Sequence, residues 1–124
     1  MSGGLTNYAA DQVLIGVAIP TSLYLKLHLN NPGPNALLFP ALETTRKLST
    51  FVPADLPAKS WNSNTLSWPG IAANETVPWF SLWSAATGGN PWFIGVFNPV
   101  FSLVVSTTGT LDPYRVILNS TPFT

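Results

Sequence analysis

His28 is the only histidine of the chain, and it lies in the segment SLYLKLHL close to Lys26. A Ser–His–acid catalytic triad would have to use this imidazole. No Gly-x-Ser-x-Gly turn or similar setting for a nucleophile occurs in the sequence. In the alternating pattern of the segment, His28 falls on the polar side with Tyr24 and Lys26. We therefore expect an outward-facing structural histidine.

The five acidic residues are too far apart in sequence to form a local catalytic pair of the glycosidase type. The chain has no cysteine, and no cluster of histidine and acidic residues has metal-ligand spacing. Gly88 and Gly89 are followed by no Gly-Lys-Ser/Thr, so they indicate a turn and no phosphate loop. The sequence therefore predicts no catalytic residue, no metal and no cofactor. The acidic residues are Asp11, Glu43, Asp55, Glu75 and Asp112.

Among the residues of the chain, the five tryptophans are the best candidates for a site that binds a sugar or a protein partner. Tryptophan stacks on sugars and anchors protein interfaces, although in a small β domain it more often fills the core. In the segment TVPWFSLWS, alternation places Val77, Trp79 and Trp83 on one face and Phe80 and Leu82 on the other. Since both faces are apolar, this strand is either covered on both sides or lies at an interface. The predicted interface residues are Trp79, Phe80, Trp83 and Trp92, with Gly88, Gly89 and Asn90 of the following turn.

The composition limits the kind of partner. Of 124 residues, 8% are charged and 46% are hydrophobic, and the formal net charge is zero. The chain therefore lacks the electrostatic attraction that binders of nucleic acid and anionic membranes use. Its start shows no secretory signal, and its longest apolar runs are shorter than the roughly 20 residues that cross a bilayer. We expect no nucleic-acid or membrane partner, and a protein that functions inside an assembly of proteins.

Alternation and turn residues predict a mainly β fold with one short N-terminal α-helix. Thr6 or Asn7 can cap the helix, and Pro20 ends it. We expect an antiparallel β-sandwich or barrel, jelly-roll-like, with residues 1–4 as a flexible lead and residues 5–124 as a single β-sandwich domain. Strands are predicted at 22–29, 47–52, in a hairpin within 60–69, at 76–84 with an edge or bulge at Pro78, and at 92–97, 100–107 and 114–118.

Three stretches of the chain resemble a family of small tailed-bacteriophage virion proteins, described as tail-fibre-like, minor tail or head-decoration proteins. They are LTN at 5–7, LYLKLHLNNPG at 23–33 and LWSAATGGNPWFIG at 82–95, of which AATGGN is the most specific. Ser84 replaces the aspartate that the family has before AATGG, and Arg46 is the nearest counterpart of its aromatic-Ala-Arg stretch. The resemblance brings no catalytic residue with it.

We therefore expect a non-enzymatic bacteriophage virion protein of the tail or tail fibre, assembled in the host cytoplasm. It is expected to form a homo-oligomer, with a trimer as the first candidate, and to contact other virion proteins through apolar and aromatic surfaces. The first alternative is a capsid decoration protein, which copy number in the particle would distinguish. A receptor module that binds a host glycan on tryptophan and asparagine is the second alternative. A hydrolase that uses His28, a serine and an acid is the most distant.

Overall fold

The computed structural model describes residues 4–15, 22–53, 59–112 and 116–119. Antiparallel strands dominate it, and one short helix lies near the N-terminus, which confirms the predicted fold class. The elements are β1 Gly4–Leu5, α1 Asn7–Leu14, β2 Ser22–His28, β3 Lys47–Pro53, β4 Lys59–Asn62, β5 Leu66–Trp68, β6 Glu75–Trp83, β7 Pro91–Leu103, β8 Gly109–Leu111 and β9 Ile117–Asn119.

Seven of the strands form one antiparallel sheet in the order β1-β7-β6-β2-β3-β4-β9, and β5 pairs with β8 in a second, two-stranded sheet. The two ends of the large sheet approach each other, because β9 lies near β1 and β7. The large sheet is therefore curled like a barrel. Leu66, Trp68 and Leu111 of the small sheet are buried in the same core as the large sheet.

The two faces of the large sheet differ in chemistry. Its inner face carries Leu23, Leu25 and Leu27 of β2, all wholly buried, as the period-two pattern predicted. Across the β2–β6 ladder, Leu25 pairs with Leu82, and Leu27 pairs with Phe80. The outer face carries the alternate residues of the same strands, among them Tyr24, Lys26 and His28 of β2 and Trp79, Ser81 and Trp83 of β6.

A register shift lies between Val77 and Trp79 in the β6–β7 ladder, at Pro78, where the sequence predicted an edge strand or a bulge. The shift turns Val77 into the core that also contains Phe80. The prediction that Val77 shares a face with Trp79 and Trp83 is therefore wrong. The edge-strand alternative is wrong, because β6 lies between β7 and β2, and the register shift confirms an irregularity at Pro78. The extra residues lie on β7, where positions 97–100 face Pro78 alone.

Thr6 joins the N-terminal helix to the sheet. Its Oγ1 accepts a hydrogen bond from the backbone N–H of Ala9 (3.1 Å), so Thr6 is the one of the two predicted residues that caps the helix. The same hydroxyl donates to the Pro91 carbonyl at 2.5 Å, so the helix start is held against β7. Of the predicted flexible lead, residues 1–3 lie outside the described residues. Gly4, however, pairs with Ile94 and belongs to the sheet.

Candidate functional site: an apolar strap over the outer face

The segment between β2 and β3 crosses the outer face of the large sheet, and we call its residues 29–42 the strap. Its buried residues are Pro32, Ala36 and Ala41, of which Ala41 belongs to the main core. Ala36 packs with Trp83 and Ile94 in a second apolar cluster, separate from the main core. The outer face of β6 is therefore covered in part by the protein's own chain.

Main-chain hydrogen bonds hold the strap in one conformation. They link the strap to itself, and they link its end to β2 through an isolated bridge between His28 and Pro40. Such bonding fixes the backbone before any partner arrives and removes its polar groups from the exposed surface. The bonds run from Leu29 N–H to the Phe39 carbonyl (2.9 Å), from Ala36 N–H to the Gly33 carbonyl (3.0 Å), from Leu38 N–H to the Pro32 carbonyl (3.1 Å) and from Ala41 N–H to the Leu27 carbonyl (3.0 Å).

Two other elements hold the strap, one near its middle and one at its C-terminal end. The backbone N–H of Asn7, at the start of α1, donates to the Pro34 carbonyl at 3.1 Å. The Glu75 carboxylate accepts from the backbone N–H of Leu42 at 2.9 Å and of Glu43 at 3.3 Å. The strap is thus tied to the helix at one side and to β6 at the other.

The strap turns its large apolar side chains outward. Leu37 is 72% exposed, Leu42 64%, Leu38 54% and Phe39 53%. Phe39 also has a φ of +50°, a left-handed conformation that costs energy for a bulky residue and is found mainly where function needs it. No charged residue lies between positions 29 and 42. The outward side of the strap is therefore an uncharged apolar surface in a fixed backbone conformation.

His28 lies beneath the strap and is wholly buried, so the prediction of an outward-facing histidine is wrong. The alternation placed it correctly on the outer face, beside Lys26. The error arose because the strap folds back over that face. Its Nδ1 lies 2.8 Å from the Leu38 carbonyl, and its Nε2 lies 2.7 Å from Ser81 Oγ.

The hydrogen-bond partners fix the tautomer of His28. A carbonyl only accepts, so Nδ1–H donates to Leu38, and the neutral ring accepts at Nε2 from the Ser81 hydroxyl. The Ser81 oxygen in turn accepts from Trp83 Nε1–H at 2.8 Å. Burial lowers the pKa of His28 to about 4. The hydrogen bond that Nδ1–H donates to the Leu38 carbonyl raises this pKa, and the nearby charge of Lys26 lowers it. A buried polar chain thus connects Trp83 to the strap backbone.

This chain of contacts is unsuited to catalysis. Ser81 and His28 are both wholly buried, and the atom that faces His28 Nδ1 is a main-chain oxygen and no carboxylate. The described part of the chain brings no three histidine, cysteine or acidic side chains together as a metal site. Among the described elements, no helix has the length and apolar character needed to cross a membrane.

Arg46 connects the strand after the strap to the AATGGN turn. Its Nη1 donates to the carbonyls of Ala85 (2.9 Å) and Gly88 (2.7 Å). The guanidinium also lies over the Trp83 ring, 4.1 Å from the centroid, in a cation–π contact. Arg46 therefore fixes the turn and covers Trp83 at the same time.

The seven predicted interface residues fall into two groups. Phe80, Trp83 and Trp92 are buried within this chain, whereas Trp79 is half-buried on the outer face. Gly88, Gly89 and Asn90 are exposed in the turn that Arg46 holds. The contact of these residues with a partner stays a prediction, and any direct contact in this conformation would involve chiefly Trp79 and the turn.

The strap is the part of the site that sequence reasoning missed. Its run ALLFPAL at 36–42 follows neither helical nor strand periodicity, and no element is predicted there from the sequence. The available signal was the dense apolar run itself, because such a run outside any helix or strand indicates an exposed apolar surface.

The family model described as podophage GP4 fiber I protein gp80 matches residues 1–112. No curated protein matches the chain. The family match supports the resemblance to bacteriophage virion proteins. Since it covers most of the chain, this protein belongs to the podophage GP4 fiber I protein gp80 family.

Proposed function

We propose that this protein is a non-enzymatic structural subunit of a podophage tail fibre, assembled in the host cytoplasm and incorporated into the virion. The observation that carries the proposal is the family match over residues 1–112, since the family is one of fibre proteins. In this role the chain contacts further copies of itself, with a trimer as the first candidate, and other virion proteins.

The surface of the protein supports a structural role. A protein with 8% charged residues has little electrostatic repulsion to keep copies apart in solution. Large apolar side chains exposed together are a liability for a free monomer and typical of an interaction site. The strap presents four of them at more than half exposure.

The burial of His28 and Ser81 supports a non-enzymatic role. His28 and Ser81 form the one pairing in the described residues that resembles part of a hydrolytic triad, and neither reaches solvent. Their hydrogen bonds connect strands and strap, which is a structural role.

A glycan-binding module has less support. Sugar stacking needs an exposed aromatic face. Trp68, Trp83 and Trp92 are buried, and Arg46 lies over the ring of Trp83. Trp79 is the most exposed of the tryptophans whose side chains are described, and it is half-buried.

Purified phage particles provide the test. Antibodies raised against this chain and detected by immunogold electron microscopy should label the fibres, and quantitative mass spectrometry should give a few to tens of copies per particle. Label over the head with hundreds of copies would instead assign the protein to capsid decoration. Absence from purified particles would refute a virion role.

A further inference from the structure

We propose that the outward side of the strap is the surface through which copies of this chain bind one another. The proposal rests on the fibre role, and it adds the location of the contact. The occupant of the strap surface is a second copy of the same chain, strap against strap around a rotation axis.

The charge distribution favours a second copy as the occupant. A surface that lies on the rotation axis of an oligomer meets the equivalent surfaces of the other copies, so any net charge on it would face a like charge. Residues 29–42 carry no charge, and the exposed side chains are leucine and phenylalanine. Contacts between apolar side chains involve no charge, so two copies of this surface can pack together without repulsion.

The apolar surface continues beyond the strap. A stable interface covers about 800 Å² on each partner, which is more than a few side chains supply. On the outer face, Leu48 of β3 and Val96 of β7 are also exposed. Leu48 pairs with Tyr24, and Val96 pairs with Trp79, so the two positions continue the apolar outer face beside the strap.

Preorganisation lowers the entropic cost of such binding. The strap backbone is already held by its own hydrogen bonds, by the Glu75 carboxylate and by the buried ring of His28. Leu37, Leu38 and Phe39 are therefore presented in a fixed arrangement without further ordering of the main chain. Phe39 has its positive φ within this hydrogen-bonded stretch of main chain.

Light scattering of the purified full chain over a hundredfold range of concentration tests the proposal. The wild-type protein should have a mass of at least twice the 13.3 kDa of one chain. The double variant Leu37→Ser/Leu42→Ser removes the two most exposed strap side chains and should raise the dissociation constant at least about tenfold. The matched control is Val104→Ser/Val105→Ser, which removes two exposed apolar side chains outside the strap and should keep the wild-type mass.

Circular dichroism of each variant separates loss of association from loss of folding. If the double variant does not fold, Leu37→Gln alone changes a side chain that is 72% exposed and tests the same contact. A monomeric wild-type protein, an unchanged mass in the strap variants, or equal dissociation of the valine control would overturn the proposal. The location of the protein in the particle is measured separately, so the fibre role can stand or fall independently.

Discussion

His28 Nε2 and Ser81 Oγ lie 2.7 Å apart on the neighbouring strands β2 and β6, wholly buried beneath the strap. Because Ser81 also accepts from Trp83 and His28 donates to the Leu38 carbonyl, one imidazole joins the sheet to the segment that displays the apolar surface. The only histidine of the chain thus contributes to architecture, and protonating it would disturb the surface proposed to bind other copies.

We predict that stability falls as the pH is lowered from 6.5 towards 4. His28 has an ordinary pKa of 6.5 when unfolded and about 4 when folded. In this range the unfolded chain binds a proton that the folded chain does not, so the free energy of unfolding decreases with falling pH. The stabilisation is fully present above pH 6.5, and its loss amounts to about 3 kcal/mol at pH 4.

Urea unfolding at pH 7.0, 6.0 and 5.0 measures this dependence. His28→Gln is the control. Between pH 5 and 6.5 the pH dependence of the free energy of unfolding comes from the only histidine of the chain, so it should disappear in this variant. A wild-type slope equal to that of the variant would mean that the buried neutral imidazole is absent from the folded state.

We predict that Arg46→Ala destabilises the AATGGN turn. The variant loses two hydrogen bonds to carbonyls and the contact with the Trp83 ring, at a cost of about 1–2 kcal/mol. Hydrogen exchange should show faster exchange at residues 85–90. Arg46→Lys keeps the charge but loses the planar fork, so its exchange should be intermediate. Wild-type protection in Arg46→Ala would refute the role of the guanidinium.

We predict that Gly95→Ala destabilises the core by about 1–3 kcal/mol. A Cβ at position 95 would overlap the ring of Phe80, which lies directly across the β6–β7 ladder. Phe80→Leu should be destabilising in the wild-type protein, but its cost should be smaller in the Gly95→Ala background. Thermal unfolding of the four proteins gives the coupling energy, and strict additivity would contradict the close packing of ring and glycine.

We predict that Ser49→Ala raises stability by about 1 kcal/mol. The Ser49 hydroxyl is wholly buried and has no hydrogen-bond partner within the described residues. Removing it relieves the cost of desolvating a polar group. Ser67→Ala, on the exposed side of β5, is the control and should change the free energy of unfolding little. A lower stability for Ser49→Ala would show that the hydroxyl is bonded after all.

Local patterns predicted much of the fold. The alternation in SLYLKLHL predicted β2 and its buried leucines, and Thr6 is one of the two residues predicted to cap the helix. Pro78 predicted an edge strand or a bulge, and the β6–β7 ladder does shift its register there. Pairing between distant strands was beyond local patterns. The predicted hairpin within 60–69 is wrong because β4 pairs with β3 and β9, while β5 pairs with β8. Likewise, β7 runs unbroken from Pro91 to Leu103, where two separate strands at 92–97 and 100–107 were predicted.

The candidate site was harder to predict because it depends on tertiary contacts. The position of His28 on one face followed from alternation, but its burial depends on the strap, whose path is set by contacts with β2, α1 and Glu75. Arg46 was identified only as a counterpart of a family residue. Its contacts with Ala85 and Gly88 join positions about forty residues apart, which no local pattern reveals.

Chemical crosslinking of single-cysteine variants tests most directly whether copies meet at the strap. The chain has no cysteine, so Leu37→Cys introduces one thiol on the strap, and Val104→Cys introduces one at an exposed site outside it. With a short bismaleimide, we predict that Leu37→Cys forms a covalent dimer, both in the purified protein and in phage particles, whereas Val104→Cys stays largely uncrosslinked. Crosslinking of Val104→Cys with none of Leu37→Cys would contradict assembly through the strap.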